Sequence, residues 1–335
     1  MSPSREAPLV SIVTAIYNAG DWLRPSIESL LRQTYANLEI WLVDDGSTDG
    51  CMDTLSDLRD HRIRIVRQAN AGKATALNRV LECLRGEFYA IHDADDISHP
   101  RRIELQVQCM LENPEVAGVL TGYDLILGAR SVAPRRRHKD PAACARDIQA
   151  FKMPSHDPTA MFRMSRVGDL RYEEGLRIGQ GYDYILRVGE RHPLYTLEDC
   201  LYSYRILPRS ITRKDPGIRD RMVHDLLQRA CVRRGIDPVY GMSGLDETLG
   251  GNRELDNNLV AHFMESVVDQ RAGGHRCGAL ATGAQSMLLQ PSDLAYYKPL
   301  ACALLPNWLL ARLRNRSAPR RGSGLSRAEP QSSTP

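Results

Sequence analysis

The sequence predicts an α/β protein in which a mostly parallel β-sheet, covered by helices on both faces, precedes a helical C-terminal region. Up to residue 122, short apolar segments rich in β-branched residues alternate with segments whose apolar residues recur at helical spacing. Strands separated by helices of this length imply right-handed crossovers and parallel pairing. Beyond residue 215 the apolar residues again recur at helical spacing.

Five segments have the length and composition of buried strands, and the first four are each followed by a polar turn and a helical pattern. The strands are predicted at residues 9–15, 38–44, 62–66, 87–93 and 116–122. The first helices are predicted at residues 22–34, through Leu55 and Leu58, at 70–84 and at 99–111. Later helices are predicted at residues 182–190, 219–235, 257–272 and 278–289.

Polar side chains cluster after the first four predicted strands. These clusters are Tyr17 and Asn18, Asp44 and Asp45, the segment 70–73, and the segment 93–96. Ligands of open α/β sheets bind beyond the carboxyl ends of the strands, so we expect the four clusters to meet at one edge. A helix start needs only one capping residue, and these clusters contain more acids than that, so capping alone does not explain them.

The segment FYAIHDADDISHP, residues 88–100, contains three aspartates within four positions: Asp93, Asp95 and Asp96. One interpretation is a helix N-cap formed by Asp95, Asp96 or Ser98, since Asp and Ser are favoured there. The other is a divalent cation site, because hard cations take oxygen ligands and offset the repulsion between clustered carboxylates. Taken alone, this segment leaves both interpretations open.

The composition indicates an ordinary globular protein. Of its 335 residues, 42% are hydrophobic and 25% are charged, and the formal net charge of +3 is too small to predict nucleic-acid binding by itself. Eight cysteines without a CxxC pair argue against a zinc site and a disulfide framework. With neither a signal peptide nor a run of about 18 apolar residues, we expect a cytoplasmic protein, peripheral to a membrane at most.

Seven segments resemble, in order, the motifs of the family 2 glycosyltransferases, which have the Rossmann-like GT-A fold. They lie between residue 9 and about residue 213 and read VSIVTAIYN, LEIWLVDDGSTDG, NAGKATALN, EFYAIHDADDISHP, SHDPTAMFR, GQGYDYILRVGE and YRILPRSIT. The resemblance implies a transferase that moves a sugar from a nucleotide-diphosphate sugar to an acceptor hydroxyl, using Mg²⁺ or Mn²⁺ and inverting the anomeric carbon. We expect the acceptor to be a glycan or a lipid-linked molecule in bacterial cell-surface polysaccharide synthesis.

The resemblance also implies which residues bind the donor. Asp93 and Asp95 match the DxD motif, whose acids meet the ribose and the metal on the diphosphate, and Asp96 is left as the helix cap. A metal at this position stabilises the charge that develops on the departing nucleotide diphosphate. Asp44 and Asp45 match the acidic pair that recognises the nucleoside.

Five further residues match positions around the nucleotide. Tyr17 is expected to pack on the base, with a half-buried strand-end tyrosine as the alternative. Asn70, Gly72 and Lys73 suit phosphate oxygens at a helix start, although Asn and Gly are also common there for structural reasons. Arg205, in the YRILPRSIT segment, either clamps a phosphate bidentately or pairs with a surface acid.

The segment GQGYDYILR departs from the family pattern. An acid directly before the aromatic residue is usual in the family, where it is the general base that deprotonates the acceptor, but Gln180 and Gly181 stand in place of the common ED pair. Asp183 matches a second acid and is the predicted base, with a structural acid as the alternative. Other candidates near the acceptor are Asp157, Glu173, Glu174 and His156.

The sequence bears on three other functions. A protein that binds the nucleotide sugar with little or no turnover is the first, because of Gln180 and Gly181. A nucleotidyltransferase is disfavoured, because no glycine-rich loop with a basic residue follows the first strand. A dehydrogenase is disfavoured because no GxGxxG follows a strand.

We expect a glycosyltransferase domain at residues 1–215, a helical region at 216–316 and a disordered tail at 317–335. Within the first domain, residues 8–123 form the nucleotide-sugar half and residues 124–215 the acceptor half.

Two later segments carry predictions of their own. The basic run RRRHK, residues 135–139, is predicted to be a solvated loop, with contact to an anionic acceptor as the alternative. Residues 296–316 are predicted to pack on the helical region, with interfacial membrane contact as the alternative, since Trp and Leu beside Arg suit a headgroup boundary.

Overall fold

The computed structural model describes five stretches of the chain, which contain the sheet and the helices around it. They are residues 7–127, 130–136, 138–207, 216–237 and 255–306. The predicted tail at 317–335, the Ser210 to Thr212 part of the YRILPRSIT segment and the second half of the 296–316 segment lie outside these residues.

Nine strands form one mixed sheet in the described part of the chain. They are β1 Val10–Ile16, β2 Leu38–Asp44, β3 Ile63–Arg67, β4 Phe88–Ile91, β5 Ile97–Ser98, β6 Gly118–Leu127, β7 Arg130–Arg135, β8 Met161–Arg163 and β9 Leu194–Arg205. Their order is β3-β2-β1-β4-β8-β6-β9-β5, and β7 pairs with β6. The first four in this order are parallel, as are β6 and β9, whereas β8 is antiparallel to both neighbours. The predicted mostly parallel sheet is confirmed.

Ten α-helices lie in the described residues. They are α1 Leu23–Leu31, α2 Lys73–Leu81, α3 Arg102–Glu112, α4 Pro141–Gln149, α5 Met164–Val167, α6 Gln180–Arg191, α7 Pro216–Arg233, α8 Leu255–Ala272, α9 Arg276–Leu289 and α10 Lys298–Leu304. The helix predicted through Leu55 and Leu58 is wrong, because a 3₁₀ segment ends at Leu55. There the Thr54 hydroxyl donates to the Cys51 carbonyl oxygen at 2.6 Å, and such local bonds compete with a helix.

Both faces of the sheet are covered, as the alternation of strands and helices predicts. Successive side chains of a strand point to opposite faces, so Ile12 and Val13 belong to different apolar clusters. Ile12 packs with residues of α1 and α3, such as Ile27 and Val107. Val13 packs with residues of α2, α6 and α7 on the other face. This arrangement fixes which ends of the strands remain free for a site.

The C-terminal helices pack against the hairpin of β6 and β7. Leu125 and Val132 of the hairpin form an apolar cluster with Phe263 of α8 and with Tyr296, which is 1% exposed. The predicted packing of the 296–316 segment is therefore observed at its beginning. None of the helices in the described ranges is long and apolar enough to cross a membrane.

The predicted helix cap at Asp96 is wrong. Helix α3 begins after Arg101 without a side-chain cap. Asp96 is fully buried, and its Oδ1 accepts a hydrogen bond from the backbone N–H of Arg205 at 2.8 Å. The carboxylate thus joins the loop after β4 to the end of β9, instead of satisfying the first turn of α3.

The described residues of the basic run at 135–139 match the predicted solvated loop only in part, since Arg136 and His138 are exposed but Arg135 and Lys139 have structural partners. Arg135 is the last residue of β7; its guanidinium donates to the Tyr123 hydroxyl at 2.9 Å and pairs with Glu265 of α8. Lys139 pairs with Asp147 of α4 at 2.7 Å. Two of the basic side chains therefore hold neighbouring elements together.

Candidate active site

The carboxyl ends of β1, β2 and β4 lie side by side and bring the predicted polar clusters to one edge. In the parallel register Ile16 pairs with Asp44, and Val13 pairs with Ile91. The residues that follow these positions therefore leave the sheet together. They include Tyr17, Asp45 and Asp93, as expected from the topology of parallel sheets.

Asp45 ties the loop after β2 to the loop before α2. Its Oδ1 accepts hydrogen bonds from Gln68 Nε2 at 2.7 Å and from the Ala71 N–H at 2.8 Å, and its Oδ2 accepts one from the Gly72 N–H at 2.8 Å. Asn70 Nδ2 donates to the Asp45 carbonyl oxygen at 3.1 Å. Both carboxylate oxygens are thus used to fix the shape of the loop.

Glycine is required where these two loops touch. Gly46 has a φ of +75°, and a methyl group at this position would come within 2.9 Å of the Asn70 backbone nitrogen. Only a residue without a side chain combines this backbone conformation with so close an approach. Gly72, at φ +95°, turns the chain into α2.

Tyr17 and Asp44 stand at the ends of neighbouring strands, with different exposure. The Tyr17 side chain is 54% exposed and presents a ring beside the loops. Asp44 is buried; its Oδ1 accepts a hydrogen bond from the Ser47 N–H at 2.9 Å, and its Oδ2 lies 3.8 Å from Arg67 Nε. An exposed aromatic face and a carboxylate oxygen at the ends of neighbouring strands suit a planar base that donates an N–H.

Lys73 and Asp93 form an ion pair at the start of α2. The Lys73 ammonium donates to Asp93 Oδ1 at 2.6 Å, and both side chains are about one-quarter to one-third exposed. Burial alone would lower the pKa of Lys73, but the nearby carboxylates of Asp93, Asp157 and Asp95 raise it above its ordinary value. Lys73 is therefore charged, and it holds one member of the acidic cluster in the charged form.

Asp95 and Asp96 are the members of this cluster whose pKa values are raised. Burial, and then the charge of Asp93, raise the pKa of Asp95 to about 6. Burial together with Asp95 and Asp93 raises the pKa of Asp96 well above its ordinary value. A group whose pKa is raised by a like charge gains most from an added cation.

Asp93 and Asp95 are the residues of this cluster that could hold a divalent cation. Among the described residues, no group of three His, Cys, Asp or Glu side chains could hold a metal ion. Mg²⁺, however, is usually bound by one or two carboxylates together with substrate phosphates and water, so two acids suffice. A cation between the pair would also remove the repulsion that raises the pKa of Asp95.

A buried arginine beneath the site was not predicted from the sequence. Arg102 is fully buried, and its Nη2 donates hydrogen bonds to the carbonyl oxygens of Ile91 at 2.9 Å and Pro158 at 2.8 Å. Its Nη1 donates to Ser98 Oγ at 3.0 Å, and its Nε donates to Gln106 Oε1 at 3.2 Å. Burial lowers the pKa of Arg102 to about 10. This side chain fixes the strand before Asp93 to the segment around residue 157.

His92 is a second buried polar residue beneath the site, and it was not predicted from the sequence. The imidazole is fully buried, with Nε2 at 2.8 Å from Ser26 Oγ and Nδ1 at 3.1 Å from Ser98 Oγ. Burial, and then the charge of Arg102, lower the pKa of His92 to about 3. His92 is therefore a neutral structural residue next to Asp93.

Arg205 organises the loop of Asp95 and Asp96. Its Nε donates to the Asp95 carbonyl oxygen at 2.8 Å, and its guanidinium lies 4.2 Å from the centroid of the Trp22 ring. Burial lowers its pKa. These contacts differ from one of the two predicted alternatives, pairing with a surface acid, and they place a cation directly beside the acidic loop.

The acids considered for the general base lie in different places. Asp183 is buried in α6 and forms ion pairs with Arg187 at 2.7 Å and with Arg233 of α7 at 3.7 Å. Asp157 instead contacts His156, whose Nδ1 lies 3.4 Å from Asp157 Oδ1, and it lies next to Gly181.

Glu173 and Glu174 line a groove beside α2. Glu173 pairs with Arg229 at 3.4 Å, and Glu174 accepts a hydrogen bond from Asn78 Nδ2 at 2.9 Å. Both acids already have partners away from the Asp93 cluster.

Comparison with known proteins identifies the family. The model of the family described as Glycosyl transferase family 2 matches residues 11–171. The chain is 30% identical over 209 residues to TuaG of Bacillus subtilis, whose name assigns it to teichuronic acid biosynthesis, and the match covers 61% of this chain and 82% of TuaG. This chain belongs to glycosyltransferase family 2. It spans only 38–40% of the length of several other curated glycosyltransferases that it matches.

Solved structures of glycosyltransferases share the fold. TarS 1-349 of S. aureus in complex with UDP-GlcNAc matches with a TM-score of 0.58 at 15% identity, over 88% of this chain and 90% of the TarS chain. The mannosyltransferase PcManGT of Pyrobaculum calidifontis, in complex with GDP-Man and Mn²⁺, matches with a TM-score of 0.54 at 19% identity, over 92% and 87% of the two chains. The family 2 chain therefore has the expected GT-A fold.

Proposed function

We propose that this protein transfers a sugar from a nucleotide-diphosphate sugar to an acceptor hydroxyl, with a divalent metal and with inversion at the anomeric carbon. The observation that carries the proposal is the meeting of Lys73, Asp93 and Asp95 at the carboxyl edge of the parallel strands. The loop pinned by Asp45 lies directly beside them. This edge is where α/β sheets bind nucleotides.

The nucleoside would lie on the loops after β1 and β2. The exposed ring of Tyr17 provides a face for the base, and Asp44 Oδ2 provides an acceptor for a base N–H. Asp45 would act indirectly, because its carboxylate oxygens accept hydrogen bonds from the Ala71 and Gly72 N–H groups and so fix the loop. The loop is thereby shaped before the donor arrives, which lowers the entropic cost of binding.

The diphosphate would lie between Lys73 and the two aspartates. Asp93 and Asp95 would hold the metal, which when bound acts as a Lewis acid on the phosphate oxygens. Lys73 brings a fixed positive charge to the start of α2, where the helix dipole also favours an anion. Arg205 holds the Asp95 backbone in position through its hydrogen bond to the Asp95 carbonyl oxygen.

Inversion requires one displacement, in which the acceptor oxygen attacks the anomeric carbon from the face opposite the leaving nucleotide. A carboxylate on the acceptor side takes the proton of the attacking hydroxyl. Asp157, Glu173, Glu174 and Asp183 are the acids considered for this role.

The names of similar proteins support an acceptor in bacterial cell-surface polysaccharide synthesis. TuaG is named for teichuronic acid biosynthesis, and the TarS structure contains UDP-GlcNAc. A lipid-linked acceptor would bring the protein to a membrane surface. Exposed leucines near α10, Leu288 at 71%, Leu294 at 81% and Leu304 at 67%, support peripheral contact there. All eight cysteines are free, which supports a cytoplasmic location.

A donor panel tests the proposal. The purified protein would be titrated with UDP-GlcNAc, UDP-glucose, GDP-mannose and dTDP-glucose in the presence of Mg²⁺ or Mn²⁺, and binding would be measured by calorimetry. We expect one nucleotide class to bind, with affinity lost on adding EDTA and in Asp95→Asn. If none of the four donors binds with either metal, the proposal fails.

A binding protein without turnover is the second candidate, favoured by the glycine at position 181. The same panel distinguishes the two, because nucleotide release can be followed in each reaction. A donor that binds with metal but releases no nucleotide, with or without bacterial membrane extract as acceptor source, would favour the binding protein.

A further inference from the structure

We propose that Asp157 is the general base of the transfer reaction and that it occupies the place of the acid missing at position 181. This inference rests on the proposed function and assigns the acceptor side of that same site. It locates the base on the segment before β8, and not on α6, where the family pattern would place it.

Asp157 fills the space that a side chain at position 181 would occupy. A methyl group added to Gly181 would lie 1.9 Å from Asp157 Oδ2, 2.5 Å from its Cγ and 2.7 Å from its Cβ. No side chain at position 181 fits beside Asp157 in this position, since real contacts of such a group exceed 3 Å. Two segments thus compete for one volume, and in this chain the carboxylate comes from residue 157.

The surroundings of Asp157 leave its carboxylate free to accept a proton. Within the described residues, its ion-pair contact is with His156 Nδ1 at 3.4 Å, and its side chain is 19% exposed. Asp183, by contrast, is 4% exposed at its side chain and is held by Arg187 and Arg233. The Asp183 carboxylate therefore already has two guanidinium partners.

The imidazole of His156 lies beside the Asp157 carboxylate, with Nδ1 3.4 Å from Oδ1. Burial lowers the pKa of His156, so the ring is neutral and can carry its proton on Nδ1 toward Asp157. The ring packs against Tyr204, with centroids 4.5 Å apart, and against Tyr123 at 5.2 Å. An imidazole enclosed in this way acts as a positioning residue for the carboxylate.

Asp157 also lies near enough to the acidic cluster for its charge to act on Lys73. Its charge contributes to the raised pKa of Lys73, which contacts Asp93 directly. Arg102 connects the two segments through the carbonyl oxygens of Ile91 and Pro158. These buried hydrogen bonds join the segment of Asp157 to the strand that precedes Asp93.

In the reaction, the acceptor hydroxyl oxygen forms a bond to the anomeric carbon while its proton moves to an oxygen of Asp157. The bond between the anomeric carbon and the phosphate oxygen breaks, and the nucleotide diphosphate leaves with the electron pair. Asp157 then returns the proton to water. No oxidant or reductant takes part.

The test moves the carboxylate from one segment to the other. Asp157→Asn and Asp157→Ala remove it, and the double variant Asp157→Ala with Gly181→Asp supplies it from α6 into the vacated space. Asp183→Asn tests the competing acid. Asp169→Asn, at a side chain 73% exposed and paired with Arg191, is the matched control.

Each variant would be measured in three ways with the donor that binds best in the panel. Donor affinity with Mn²⁺ shows whether the donor site is intact. The thermal midpoint Tm shows whether the fold is intact. Nucleotide release with water as acceptor reports the chemical step. We expect Asp157→Asn and Asp157→Ala to release nucleotide about 10²- to 10⁴-fold more slowly, with donor affinity unchanged within about threefold. The double variant should recover at least tenfold over Asp157→Ala.

The outcomes separate this inference from the proposed function. If the unaltered protein binds a donor and releases nucleotide, and Asp157→Asn does so at a similar rate, Asp157 is not the base. A double variant that folds and binds donor but is no faster than Asp157→Ala also overturns the inference, and this result does not depend on how well Asp157→Asn folds. An unaltered protein that binds no donor overturns the proposed function, and the inference with it.

Discussion

The ammonium of Lys73 lies 2.6 Å from Oδ1 of Asp93, an acid that the proposed function also assigns to the metal. Under the proposed function, the same carboxylate would serve two cations in turn. Without a donor, Lys73 neutralises Asp93. With a donor, the metal would take this role and Lys73 would face the diphosphate.

This relationship predicts that Lys73→Met has opposite effects on two affinities. Removing the ammonium frees Asp93, so Mn²⁺ alone should bind about five- to tenfold more tightly, since a competing like charge is lost. The donor should bind at least about tenfold more weakly in the presence of Mn²⁺, because a charge partner of the diphosphate is gone. Calorimetry with and without donor measures both.

Lys139→Met is the matched control for this prediction. Lys139 forms an ion pair of similar length with Asp147, at 2.7 Å, outside the acidic cluster. Neither affinity should change in this variant. A Lys73→Met protein that binds Mn²⁺ no better than the unaltered protein would show that the Lys73 pair does not compete with the metal.

Arg102 is predicted to be a major determinant of stability. Arg102→Met keeps an unbranched chain but leaves the carbonyl oxygens of Ile91 and Pro158 without this donor in a buried environment. We expect the free energy of unfolding to fall by about 2–4 kcal/mol, measured by urea unfolding. Arg101→Met, at an exposed residue paired with Glu104, should change it by less than about 0.5 kcal/mol. Equal losses in the two variants would contradict the assigned role.

The strand ends and the aspartates that follow them could be predicted from the sequence, because both are recognised from short stretches of the chain. A buried strand followed by polar residues identifies Asp44, Asp45, Asp93 and Asp95 as neighbours once the sheet is parallel. Arg102 could not be recognised in this way, since a basic residue at a helix start usually faces solvent. Its spacing of four from Gln106, next to the apolar Ile103 and Val107, was the one available sign of burial.

The relation between Asp157 and Gly181 lies beyond local signals altogether. The two residues are far apart in sequence, and only the packing of the segment before β8 against α6 brings them together. The sequence shows that position 181 lacks an acid, but it does not show which other acid lies beside that position in the fold. The same holds for Asp96, whose partner at β9 outweighs the local preference of Asp for a helix cap.

His262 is predicted to make stability fall in mild acid. It is buried between α8 and β7, and its Nε2 lies 2.7 Å from the Ala133 carbonyl oxygen. Burial, and then the charge of Arg135, lower its pKa to about 3 in the folded protein, whereas in an unfolded chain it is about 6.5. The unfolded state therefore takes up the proton first, and the stability from this group is complete above pH 6.5 and is lost as the pH falls toward 3.

Urea unfolding at pH 7.5 and pH 5 measures this effect. The linkage gives about 1.4 kcal/mol per pH unit, or roughly 2 kcal/mol between pH 6.5 and 5. His262→Gln, which does not titrate, should lose about that much less than the unaltered protein over this interval. Parallel losses in both proteins would show that His262 takes up a proton without unfolding.

Asp44 and Asp45, adjacent acids in one motif, are predicted to act differently. Asp45→Asn replaces an oxygen that accepts from backbone N–H groups, so an amide would face the Ala71 or Gly72 N–H. It should lower the free energy of unfolding by about 1–3 kcal/mol and weaken donor binding as well. Asp44→Asn should weaken donor binding about tenfold with little effect on stability, because its Oδ2 is the oxygen available to the base. Tm and donor affinity measured on both variants decide this, and a stability loss confined to Asp44→Asn would reverse the two roles.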